Sequence, residues 1–150
     1  MVYSLFGPID AVLAQPVLEA PLIAYVLLGL LVLNMVGRAV EHSRHKSEAE
    51  SGDWTQLSRH PLRVATSFLL VVGSFYYLTV APHGGMVFSV LVLGVFLTDL
   101  FEFESRQVEV RNDRTLDTPK GAIAASVLAL LYILYQTLFF VIAPVWNAVI

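Results

Sequence analysis

Apolar residues are gathered into four long runs, and most polar residues lie between them. A helix needs about 20 apolar residues to cross the hydrocarbon core of a bilayer, and the runs are close to that length. The pattern predicts an all-α polytopic membrane protein, in which four transmembrane helices form an antiparallel bundle within a single membrane domain over 1–150. The predicted helices cover 22–40, 62–81, 86–101 and 122–145.

The second and third runs are separated only by residues 82–85, Pro-His-Gly-Gly. Proline and glycine are typical of turns because proline fixes one backbone angle and glycine accepts conformations that other residues avoid. The short connection predicts a tight turn between two antiparallel helices. Pro21 and Pro61 stand at the starts of the first two runs, where the missing N–H of proline costs nothing.

The first 20 residues are too short and too interrupted to form a span of their own. Their apolar residues recur at helical spacing, with Pro8 and Pro16 as interruptions. The spacing indicates a short helix that lies in the outer interface of the membrane. A partly ordered tail is the alternative interpretation.

Positive charge is confined to two parts of the chain. All nine Lys and Arg residues lie in or beside 41–60 and 102–120. Because basic loops are retained on the cytoplasmic side of a membrane, we expect these two segments to be cytoplasmic loops. The turn at 82–85 and both termini then lie outside a plasma membrane.

The composition narrows the possible chemistry. Hydrophobic residues make up 57% of the chain and charged residues only 14%, and there is no cysteine. Disulfides, thiolate metal sites and cysteine nucleophiles are therefore excluded. We found no motif that brings together an acid, a base and a nucleophile, so we expect no catalytic residue, no metal, no cofactor and no enzyme activity. Acids balance bases in the loops, which argues against nucleic-acid binding.

The strongest candidate site is the acidic run at the inner end of the third predicted helix. Asp99 and Glu102 share a helix face, Glu104 follows, and Arg106 lies four residues beyond Glu102. An ionisable group inside a membrane is costly and is a functional candidate. One interpretation is a cation or proton site, or a docking point for a basic partner. The other is a set of ion pairs, Glu102 with Arg106 and Asp99 with a base such as Arg63.

Few polar residues lie within the predicted spans, and the two with amide side chains lie in the outer to middle part of the membrane. Asn34 and Gln136 are expected to hydrogen-bond across helix interfaces and to stabilise packing.

The first loop opens with a segment in which His42 and His45 are three residues apart. Metal binding is one interpretation. We favour a solvated extension of the first helix, two to three turns long and ending near Gly52, because Glu41 and His45 form a complementary i,i+4 pair.

Three segments carry a resemblance to a known group of proteins. They are DLFEFE at 99–104, DTPKG at 117–121 and APVWNAVI at 143–150. The chain resembles a family of small multi-pass membrane proteins of unknown function from halophilic archaea, which also fits its acidic composition. The resemblance implies an archaeal plasma membrane and no particular activity.

Two functional hypotheses follow from these patterns. The first is a non-catalytic accessory or scaffold subunit in the lipid bilayer, which binds other membrane-protein subunits or its own copies through the cytoplasmic loops. The second is a small oligomeric cation or proton transporter or channel that uses Asp99 and Glu102.

Overall fold

A computed structural model describes residues 5–49, 59, 61–112 and 120–150. Four of its helices are long and apolar enough to cross a membrane. This confirms the predicted all-α class. In chain order the elements are α1 (Pro8–Leu13), β1 (Pro16–Val17), β2 (Ala20–Pro21), α2 (Leu22–Ala49), α3 (Pro61–Val80), α4 (Pro82–Arg111) and α5 (Lys120–Val149).

The long helices form a closed antiparallel bundle in the order α2, α3, α4, α5. Each packs against its neighbour in the sequence, and α5 returns to pack against α2. The core between them is a continuous set of buried apolar side chains, and the largest wholly buried ones are Tyr77, Phe88, Leu27, Leu31, Leu70 and Ile133.

The connection between α3 and α4 is shorter than predicted. Only Ala81 separates the two helices, so the prediction of a turn over 82–85 is wrong although the antiparallel hairpin is present. Gly84 and Gly85 lie in the first turn of α4 and are buried. A Cβ on Gly85 would stand 2.3 Å from the Cα of Leu78. Glycine is therefore needed here for close helix contact rather than for a turn conformation.

Two helices continue into the segments predicted as loops. The α2 helix reaches Ala49, which agrees with the expected extension beyond residue 40, and the expected end near Gly52 lies outside the described residues. The α4 helix ends at Arg111 instead of residue 101, so residues 102–111 are helical and not loop. Arg106 and Val110 are buried on this extension, and that packing explains why the helix persists past the acidic run.

The last helix is also longer than predicted. It runs to Val149, and Pro144 lies inside it, in the second-last turn. Proline removes one backbone hydrogen bond from a helix and does not always end it, because neighbouring residues can compensate.

The N-terminal segment is folded against one end of the bundle. Pro8 opens α1 instead of interrupting a helix, and a two-stranded antiparallel hairpin over 16–21 follows, which the sequence pattern did not predict. Asp10 accepts hydrogen bonds from the backbone N–H of Phe6 at 2.8 Å and from the Tyr76 hydroxyl at 2.7 Å. The described part of this segment is thus tied to α3.

Candidate functional site

Charged side chains are buried together at one end of the bundle. We call this the charged end; the opposite end, where α3 meets α4, is the hairpin end. The side chains come from the C-terminal half of α2, the first turn of α3 and the C-terminal half of α4. The ion cluster, as we name it, consists of Arg38, Glu41, His45, Arg63, Asp99 and Arg106, all at least nine-tenths buried.

Asp99 is held between two arginines from two other helices. Its Oδ1 lies 2.8 Å from Nη2 of Arg38 on α2, and its Oδ2 lies 2.8 Å from Nη2 of Arg63 on α3. The other terminal nitrogen of Arg38, Nη1, donates to the hydroxyl of Ser126 on α5. One carboxylate and two guanidiniums thus connect all four long helices. The Arg38–Asp99 contact is a charged hydrogen bond, which is among the strongest kinds in proteins, and the Arg63–Asp99 contact is an ion pair.

A layer of hydrogen bonds to uncharged side chains lies one turn closer to the middle of the bundle. Nη1 of Arg63 donates to the side-chain Oδ1 of Asn34 at 3.0 Å and to its backbone oxygen at 3.2 Å. The Asn34 amide nitrogen donates to the hydroxyls of Thr66 at 2.8 Å and Ser67 at 3.0 Å. Asn34 therefore joins α2 to α3 next to the ion cluster. It lies nearer the charged end than its predicted position in the outer to middle part of the membrane.

The outer part of the ion cluster joins the two extensions of α2 and α4. Glu41 Oε1 lies 3.6 Å from Nη1 of Arg106 and 3.9 Å from Nε of Arg63. The same Arg106 nitrogen lies 2.9 Å from Nδ1 of His45, whose ring is fully buried. Because guanidinium can only donate, Nδ1 of His45 must be the unprotonated acceptor in this contact. The prediction that Glu41 and His45 are solvated is wrong, since both face α4.

The remaining candidate residues lie around the ion cluster rather than in it. Glu102 is half-buried within electrostatic range of Arg106, and its Oε1 lies against Gly121 at the start of α5. Glu104 is exposed. Gln136 lies near the hairpin end, where its amide nitrogen donates to the Tyr132 hydroxyl on the same helix and its oxygen packs against Gly84.

Arg38 is not among the site residues expected from the sequence, although a signal for it is present. Asn34, Arg38, Glu41 and His45 follow one another at spacings of four, three and four residues, which places them on one face of a helix. Arg38 also lies inside the first predicted span. A polar stripe that enters an apolar helix indicates a buried contact with another helix.

The charge of the ion cluster limits the ligands it can accept. Three guanidiniums face two carboxylates, and each oxygen of Asp99 lies 2.8 Å from a guanidinium nitrogen. A cation near Asp99 would be repelled by Arg38 and Arg63. To carry a proton or a cation, the Asp99 carboxylate would first have to separate from both arginines. In the ranges that the structure describes, no three His, Asp or Glu side chains are grouped closely enough to hold a metal ion.

The fold and the ion cluster define a class: a four-helix bundle with the dimensions of a polytopic membrane protein and a cross-linked charged end. The particular family follows from comparison with known sequences. The chain belongs to the family defined by the domain of unknown function DUF7313, whose model matches residues 1–150. No curated protein and no solved structure matches the chain.

Proposed function

We propose that this protein is a non-catalytic accessory or scaffold subunit of a membrane assembly. The observation that carries the proposal is the pairing of Asp99 with both Arg38 and Arg63. Asp99, the strongest candidate from the sequence, pairs with arginines on two other helices and so holds these helices together. This supports a structural role for Asp99. A bundle whose helices are joined by ion pairs at one end presents a fixed surface to which partners can bind.

The partner surface we assign is the solvated side of the α2 and α4 extensions. Ser43, Arg44 and Lys46 on α2 are exposed, as are Glu104 and Arg111 on α4. Charges of both signs on a rigid helical surface are suited to a partner of mixed charge, because complementary pairs select the partner and its orientation. Other membrane-protein subunits or further copies of the chain fit this description.

The distribution of basic residues supports an orientation in the membrane. Arg44, Lys46, Arg59, Arg111 and Lys120 all lie at or beside the charged end, and the described part of the hairpin end carries no Lys or Arg. We therefore place the charged end in the cytoplasm and both termini outside the plasma membrane. The resemblance to proteins of halophilic archaea favours an archaeal host.

The alternative function, an oligomeric cation or proton transporter that uses Asp99 and Glu102, has less support from the geometry. Glu102 is half-buried and near the cytoplasmic end, as a vestibule residue would be. Asp99, however, would first have to leave two arginines, and removing one partner from a buried ion pair costs about 3–5 kcal/mol. A flux assay in liposomes discriminates: the proposal expects no cation or proton flux from the unaltered chain, and flux above that of empty liposomes would favour transport.

Partner retention tests the scaffold proposal directly. The protein is crosslinked in its native membrane, extracted in mild detergent and purified, and bound proteins are identified by mass spectrometry. We expect stable partners or further copies that are held through the exposed surface of the α2 and α4 extensions. The double charge reversal Lys46→Glu with Glu104→Lys should weaken their retention, because both residues are exposed on the proposed surface.

The matched control is Glu19→Lys, a charge reversal at an exposed position near the hairpin end. It should leave partner retention unchanged. A lone monomer after crosslinking would refute the scaffold proposal, and equal loss in both variants would refute the assigned surface.

A further inference from the structure

The apolar part of α5 is longer than the thickness of the hydrocarbon core, which the lengths of the apolar part of α2 and of α3 match. The apolar stretch of α2 and the whole of α3 are each about 30 Å long at 1.5 Å per residue, which equals the thickness of the hydrocarbon core. Residues 122–149 of α5 are almost entirely apolar and extend for about 42 Å. The excess is roughly 12 Å, or more than two helical turns.

The excess length lies at the hairpin end. The hydroxyl of Tyr25, close to the start of α2, donates to the backbone oxygen of Thr137 at 3.0 Å. The residues of α5 after about 140 therefore extend past the beginning of α2. They are largely uncovered: Val141 is 61% exposed, Val145 67% and Val149 80%. We call residues 141–149 the α5 overhang.

The helix also directs its large side chains away from its own bundle. Its buried stripe consists mainly of small residues, Ala122, Ser126 and Ala129, followed by Ile133 and Thr137. On the outside, the rings of Tyr135 and Phe139 are 5.3 Å apart, and those of Phe139 and Trp146 are 6.3 Å apart. Open space of about 620 Å³ lies between these side chains and is lined by residues of α5. The α5 face, as we define it, consists of Leu131, Tyr135, Leu138, Phe139, Ile142 and Trp146.

We propose that the α5 face is the interface between two copies of this chain. The proposal rests on the membrane placement given under the proposed function. Hydrocarbon covers the inner part of this face, but the overhang extends beyond it, and exposed apolar surface of this size is unfavourable. Tilting α5 would not remove the excess, because the helix is packed along α2 and α4.

A second copy has the chemistry and the position to cover the overhang. Two chains inserted in the same orientation place their overhangs at the same height, related by a two-fold axis along the membrane normal. Such an interface must be self-complementary, and the α5 face offers aromatic rings separated by open space into which side chains of a second copy can insert. The overhang carries no charged residue, so two chains with a net charge of −3 do not repel one another there.

Single-cysteine crosslinking tests this interface cleanly because the chain contains no cysteine. Ile142→Cys and Trp146→Cys place a thiol on the overhang part of the α5 face. Val90→Cys on α4 is the matched control, since Val90 is an apolar residue, 65% exposed, on another side of the bundle. Each variant is oxidised in its native membrane with copper phenanthroline and analysed by non-reducing gel electrophoresis.

We expect at least one overhang variant to convert to a disulfide-linked dimer under conditions in which Val90→Cys remains a monomer. Equal crosslinking at all three positions would indicate random collision and would overturn the proposal, as would the absence of dimer in both overhang variants. A chain that retains partners at the charged end but forms no dimer through α5 refutes this inference alone. A dimer without partners instead leaves the interface intact and contradicts docking at the charged end.

Discussion

The two ends of the bundle are held together by different kinds of interaction. At the charged end, Arg38, Arg63 and Asp99 connect helices through buried ions. At the hairpin end, Tyr77 packs edge-on against Phe88 at 6.4 Å, and Gly84 and Gly85 let the end of α3 and the start of α4 touch. The first end depends on charge matching, whereas the second depends on shape.

Because of this difference, we expect the two ends to respond to different kinds of substitution. Buried ions are costly to desolvate and are stable only when every partner is present, so the charged end should respond strongly to the loss of one charge. Close-packed surfaces respond to added volume instead, because interiors leave little room for an extra atom. Substitutions of matched size at the two ends can therefore separate the two modes.

The largest expected effect is at Asp99. Asp99→Asn keeps the size of the side chain but leaves Arg38 and Arg63 buried without their common counter-ion. We expect the free energy of unfolding in mild detergent to fall by about 3–5 kcal/mol. Glu104→Gln, which neutralises an exposed carboxylate on the same helix, should change it by less than about 0.5 kcal/mol. Similar values for the two variants would show that the ion cluster contributes little.

A smaller effect is expected from volume at the hairpin end. Gly85→Ala adds a methyl group 2.3 Å from the Leu78 Cα, so the backbone must move. Overpacking of this kind costs about 1–3 kcal/mol. Gly94→Ala on the same helix meets nothing within 4 Å and should stabilise α4 by up to about 1 kcal/mol. Thermal unfolding should show a lower melting temperature for Gly85→Ala than for Gly94→Ala. Equal melting temperatures of the two variants would contradict this prediction.

The smallest effect concerns the attachment of the N-terminal segment. Tyr76→Phe removes the 2.7 Å hydrogen bond to Asp10 but keeps the ring contact with Phe6, at 5.5 Å between centroids. We expect the local free energy of unfolding of α1 and of the β1–β2 hairpin to fall by about 0.5–1.5 kcal/mol. Hydrogen exchange should then rise at residues 8–13 and stay constant around Arg63. Exchange that rises throughout α3 would show that the two ends are not independent.

Much of the architecture followed from the sequence, because the number and order of the long helices depend on the length of apolar runs. An ion pair of Asp99 with a base such as Arg63 was one of the two interpretations of the acidic run, and that contact is present. Arg38, Glu41 and His45 were not placed correctly, since burial of a charged side chain depends on how helices rotate against one another, which a hydropathy pattern does not record. Gly84 and Gly85 were assigned to a turn for a similar reason: only the neighbouring Leu78 reveals that their role is close packing.

The central claim is that Asp99 stabilises the bundle by pairing with arginines on other helices. A double-mutant cycle with Arg38→Gln, Asp99→Asn and their combination, followed by unfolding in detergent, measures that pairing most directly. The account predicts a coupling free energy above about 1 kcal/mol, within the range of 0.5–3 kcal/mol found for contacting residues, so that the double variant is less destabilised than the sum of the single ones. Additive losses from the two substitutions would contradict it.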